Sequence, residues 1–138
     1  MKKWTVLLLL PIFVGCSGST KDVRLRLCED LTVKLLGNGS SQISWLPHEL
    51  VMKSHDDLQV RLKYSLEGKS VTATCFYEHD AIEDNIMTAS NPITAYSTYP
   101  SKMLLNGAPV DRKLLSGSVN AVMLDQAKEV ISPNQNKP

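Results

Sequence analysis

Three histidines in this sequence stand beside carboxylates: His48 next to Glu49, His55 before Asp56 and Asp57, and His79 within the acidic run 78–84. Imidazole together with carboxylate is a donor set that suits zinc and similar ions. The spacing, however, matches no compact motif such as HExxH, in which one helix face aligns both rings. All three groups fall in polar stretches where loops are expected, and a solvated loop surface accounts for them. No metal and no other cofactor is expected. Nucleophiles give no clearer signal. There is no G-x-S-x-G, and the Ser116-Gly117-Ser118 run sits inside a helical pattern. Cys28 and Cys75 lie outside any Cys-x-x-Cys motif and map to core-facing positions, which argues against redox catalysis. Catalysis is therefore not expected. The competing reading is a small metal-binding or enzymatic domain using His48, His55 and His79.

The remaining candidates are aromatic and apolar. Phe76, Tyr96, Tyr99, Leu124 and Ile131 together could form an exposed patch for a protein or a glycan. Net charge is +1 for the whole chain and −1 once Lys2 and Lys3 are set aside. With no basic stripe, nucleic acid is not an expected partner.

Those lysines open a leader. They precede an apolar run from Trp4 to Val14, well short of the roughly 20 apolar residues a membrane-crossing helix needs. Pro11 weakens it further. The pattern reads as an export signal. Cleavage after a small residue such as Gly18 would release a soluble secreted factor.

The run Phe13-Val14-Gly15-Cys16 supports another reading, because it resembles the lipobox of bacterial lipoproteins. That resemblance implies a signal peptide at 1–15, an acylated (palmitate-type) Cys16 as the first mature residue, and a short tether at 16–20. Lipoproteins retained in the inner membrane usually carry Asp after the cysteine. Ser17 here implies the outer membrane, with the domain facing the periplasm and held by its lipid. Acyl chains contribute about 0.8 kcal/mol per buried methylene, so several on one residue anchor firmly. The chain has three cysteines, an odd number for an oxidising compartment. With Cys16 acylated, Cys28 and Cys75 remain as an even pair, and a disulfide between them is expected.

Residues 21–131 read as a single α+β domain, an antiparallel sheet packed with an N-terminal and a C-terminal helix. The first helix has Ser19 or Thr20 to cap it, Gly37 to end it, and a stripe at Val23, Leu27, Leu31 and Leu35 with Arg24 intruding. Ile43 and Trp45 mark a short strand, and 48–57 a second strand or an irregular crossing. Over 57–77 the signal is strongest. Leu58, Val60, Leu62, Tyr64 and Leu66 alternate with polar residues, and a β-rich run follows the turn at Glu67-Gly68. Further strands are expected at 93–99 and 102–105, with Asn106-Gly107 as a tight turn. A second helix is expected over 112–131, with Leu115, Val119, Val122, Met123 and Val130 on one arc and Gly117 as a weak point. The polar end 132–138 reads as a disordered tail.

Overall fold

A computed structural model describes residues 21–37, 42–52, 57–79 and 92–131. The leader, the tether with Cys16, His55 and the 132–138 tail lie outside the described residues. In chain order the elements are α1 (Val23–Leu36), β1 (Ser44–Trp45), β2 (Glu49–Met52), β3 (Asp57–Leu66), β4 (Lys69–Glu78), a 3-10 turn (Pro92–Ala95), β5 (Lys102–Leu105), β6 (Ala108–Pro109) and α2 (Arg112–Ile131). The strands form one antiparallel six-stranded sheet in the order β1-β3-β4-β5-β6, with β2 also on β3. Both helices pack on one face of it. The chain is thus α+β, as its pattern implies.

The β3–β4 hairpin is the centre of the sheet, paired from Asp57↔Glu78 to Leu66↔Lys69. Its two-residue turn places Glu67 at φ 51° and Gly68 at φ 76°. Asn106 and Gly107 turn β5 into β6 in the same way, at φ 49° and 82°. Leu58, Val60, Leu62 and Tyr64 from β3, with Ala73, Cys75 and Tyr77 from β4 and Met103 from β5, bury one face beneath the helices.

Trp45 pairs with Tyr64, whereas Leu50 pairs with Val60, so residues 46–48 oppose only two residues of β3. This is a one-residue bulge, and Pro47 sits in it, where the ladder needs no N–H. The bulge changes side-chain parity. Trp45, at an odd position, and Leu50, at an even one, consequently share the helix-facing side. Of the 48–57 stretch, Glu49–Met52 is thus a strand in the plane of the sheet rather than an irregular crossing, and residues 53–56 lie outside the described residues.

Helix α1 begins two to three residues later than its sequence implies, with neither Ser19 nor Thr20 as its cap. Asp22 caps it, accepting a hydrogen bond from the Arg24 N–H at 2.8 Å. The buried face consists of Arg24, Leu25, Leu27, Cys28, Leu31 and Thr32, while Val23 is exposed. Arg24 is not an intruder but part of the core face. Cys28 is bonded to Cys75 of β4, with both residues fully buried and 6.1 Å between their Cα atoms. Closing a loop of 47 positions in this way stabilises the fold by about 4 kcal/mol in the chain-entropy model. Gly37 ends the helix at φ 59°, a value that strains any side chain.

Helix α2 spans the expected residues without a break at Gly117. Asp111 caps it, its Oδ1 accepting from the N–H groups of Lys113 and Leu114 at 2.9 and 3.2 Å. Leu115, Ser118, Val119 and Val122 are buried, but Met123 and Val130 point outward. The arc is narrower than the hydropathy pattern implies, because α2 meets α1 and the sheet along one seam only.

The expected strand at 93–99 is absent. Pro92–Ala95 forms the 3-10 turn, and beyond it the chain meets the sheet through an isolated Tyr96 bridge to His79 and the Ser97 N–H on the Glu78 carbonyl, without forming a strand. The cause is Arg24. Its Nη2 donates to the Tyr96 carbonyl at 2.5 Å and its Nε to the Ser97 carbonyl at 3.0 Å, acceptors that a ladder would otherwise use.

Two outcomes follow for stability. Beyond its chain neighbours and its own helix backbone, no atom lies within 4 Å of where a methyl group would stand on Gly117. Gly117→Ala should therefore raise stability by about 0.5–1 kcal/mol, measured by urea unfolding, through helix propensity alone. The Tyr77 hydroxyl donates to the Arg24 carbonyl at 2.8 Å, and burial raises its phenol far above the ordinary range. A raised folded pKa means that this stability is complete below the unfolded value of about 10 and is lost as pH rises beyond it. Tyr77→Phe should cost about 1 kcal/mol at neutral pH yet flatten the alkaline fall in the urea midpoint.

Candidate functional site

The segment 96–101 owes its shape to hydrogen bonds at both ends. The Ser97 N–H donates to the Glu78 carbonyl at 2.8 Å, and the Ser101 N–H donates to the Phe76 carbonyl at 2.9 Å. Between them the Ser97 hydroxyl donates to the Tyr99 carbonyl and accepts from the Tyr99 N–H, both at 3.1 Å. Pro100, which is buried, follows a bend at 98–99 and restricts the backbone of Tyr99 before it. Tyr99 is thereby presented on a fixed stretch and is 52% exposed.

Facing it is the first half of α2. Tyr99, Pro100 and Ser101 form one wall of an open groove of about 830 Å³; Leu115, Val119, Met123 and Leu124 supply aliphatic surface, and Ser116 and Asn120 polar edges. Arg112 stands at one end. A cation in the first turn of a helix is disfavoured by the helix dipole, and Lys113 follows it with no acidic residue in that turn. A second, smaller depression of about 500 Å³ adjoins the groove, sharing Ser101, Arg112 and Leu115 and adding Phe76, Lys102 and Glu78.

The expected apolar patch is therefore divided. Tyr99 and Leu124 line the groove together. Phe76 is half-buried on the sheet face opposite Cys75, with the Lys102 ammonium 5.4 Å from its ring centre. Tyr96 is not part of any exposed patch. It belongs to the core, 5% exposed, because Arg24 draws its backbone inward. Ile131 is exposed but lies at the far end of α2, away from the groove. Sequence reasoning missed Arg112, Asn120 and Met123 as groove residues. Their three- to four-residue spacing from Leu115, Ser116 and Val119 on one helix was the available signal.

His48 and His79, the two histidines among the described residues, do not converge. His48 lies in the bulge on one side of β3, while His79 follows β4 on the other side, its ring edge-on to Tyr96 at 5.4 Å. Glu49, beside His48, is engaged elsewhere. A 2.8 Å hydrogen bond from Lys63, with the charges of Lys63 and Arg61, holds its carboxyl below the ordinary carboxylate range. Among the described residues, no three His, Cys, Asp or Glu side chains come together as a metal site.

No protein-family model, curated protein or solved structure matches the chain.

Because Arg24 holds the backbone just before Tyr99, Arg24→Met should loosen one wall of the groove. Hydrogen bonds to a charged donor contribute about 1.5–3 kcal/mol, so a loss on the order of 2–3 kcal/mol is expected. Amide exchange at Tyr99 and Ser101 should accelerate more than in β3. Equal acceleration everywhere would mean that Arg24 stabilises the whole fold without holding this segment in particular.

Proposed function

We propose that this protein is a lipid-anchored envelope lipoprotein whose periplasm-facing domain binds a segment of another envelope protein, with no catalysis of its own. The groove between Tyr99 and Leu124 carries this reading. Two large side chains, 52% and 63% exposed, face a common space with an aliphatic floor and one arginine. Tyrosine and arginine are the residue types that most often dominate interface energetics. The volume also lies in the range of sites that hold a compact ligand or a side-chain cluster. Arg112 favours a segment with a carboxylate at that end. A glycan is the second occupant. The Tyr99 ring flanked by Ser101, Ser116 and Asn120 offers it a stacking surface with hydrogen-bonding edges. Attachment rests on the likeness of Phe13-Val14-Gly15-Cys16 to a lipobox and on the even cysteine pair that acylation of Cys16 leaves.

Two measurements test the proposal. An intact mass from the membrane fraction should give a chain beginning at Cys16, heavier by its acyl groups and gaining two hydrogens when Cys28–Cys75 is reduced. A soluble chain without lipid would instead favour the secreted factor. A photo-crosslinking residue at Tyr99 or Leu124, introduced in intact cells, should capture the same partner from both positions. The same residue at Glu67, on the exposed hairpin tip, should not. Arg112→Glu should reduce that capture. Identical products from all three positions, or none from Tyr99 and Leu124 with glycan pull-downs empty, would remove the groove as a binding site.

A further inference from the structure

We infer that the end of the molecule built from the first turn of α1 and the last turn of α2 is a contact surface for a phospholipid bilayer. This rests on the lipid attachment at Cys16 proposed above and adds to it how the domain sits on the membrane.

The helices run antiparallel. Arg26 meets Glu129 at 2.7 Å, the Gln126 amide donates to Asp30 at 2.6 Å, and Lys34 lies 3.7 Å from Asp125. The start of α1 therefore adjoins the finish of α2. At that shared end stand Val23, Val130 and Ile131, 55%, 79% and 80% exposed, the latter two more exposed than any other large apolar residue of the described chain. Neither α1 nor the sheet covers them, and no fold requirement accounts for them.

Chain length selects the occupant. Cys16 precedes Lys21 by five residues, a span of at most about 18 Å when fully extended. A lipid on Cys16 thus keeps this end of the domain beside the bilayer. Tethering supplies a high effective concentration, so a small apolar contact suffices to select an orientation. The contact is apolar rather than electrostatic. Lys21 pairs with Glu29 at 3.1 Å, Arg26 with Glu129, and Lys128 with Asp125 at 3.5 Å. Lys21 and Lys128 remain largely exposed and can lay their methylene stems along the surface with the ammonium in water. The groove then faces away from the bilayer. At 1.5 Å per residue, Leu124 stands about 10 Å and Arg112 about 28 Å from Ile131 along α2. Ile131 and Leu124 thus serve two different surfaces.

Tryptophan quenching in vesicles tests this directly. The lipidated protein, with Ile131→Trp or Leu124→Trp, is reconstituted into phosphatidylcholine vesicles whose acyl chains carry bromine. Trp45 supplies the reference signal in the unsubstituted protein. Both substituted positions are exposed, and an unchanged thermal midpoint confirms folding. The emission added at position 131 should be quenched and that added at 124 should not. Including phosphatidylglycerol should change neither result. Protein that fails to float with the vesicles overturns the attachment. Protein that floats with position 131 unquenched overturns the membrane contact and leaves the attachment standing. Quenching at 131 that requires phosphatidylglycerol overturns its apolar character.

Discussion

The bond between Cys28 and Cys75 sets the rotation of α1 about its own axis, and most of the molecule is referred to that setting. With Cys28 held over β4, the residues one turn to either side, Arg24 and Thr32, must face the interior. Neither is an obvious core residue. Thr32 resolves its hydroxyl within the helix, donating to the Cys28 carbonyl at 2.7 Å. Arg24 reaches out of the helix to the backbone at 96 and 97, and Asp22 stands 3.4 Å from its Nη1. No buried side-chain polar atom among the described residues lacks a partner. A helix whose buried face includes a guanidinium and a hydroxyl gains less from burial than an aliphatic one, and a covalent tie offsets that weakness.

Both walls of the groove are tied to α1. Arg24 holds the Tyr99 wall, which β4 also fixes through the Glu78 and Phe76 carbonyls, and Arg26, Asp30 and Lys34 meet the C-terminal half of α2. The groove width therefore depends in part on a helix that does not line it. A displacement of α1 would act on both walls at once.

What could be read in the sequence follows the range of the interactions responsible. Local periodicity revealed the central hairpin, the Asn106-Gly107 turn and the span of α2, because each depends on neighbours a few residues apart. The strand wrongly expected at 93–99 depends on Arg24, 73 positions distant from Ser97, and no pattern within Ile93–Tyr99 records that guanidinium. The buried face of α1 was misplaced for the same reason, since an arginine counts as polar until its partners are known. For the groove, sequence indicated Tyr99 and Leu124 as unneeded by the core. It could not show that they face each other, nor that Tyr96 lies inside and Ile131 at another end.

The prolines on the two sides of the sheet have a consequence for how copies of the protein coexist. Pro47 interrupts the ladder between β1 and β2 at one margin, and Pro109 lies in β6 at the other. Each margin thus contains a residue with no N–H to offer and, on the first, a kink that breaks the line of its neighbours. Molecules confined to a surface meet far more often than molecules in solution, and flat, regular strand margins would let them join side by side into ribbons. A sheet whose margins are both interrupted is a poor template for such growth, since neither Pro47 nor Pro109 leaves its margin an unbroken row of backbone donors for a second copy.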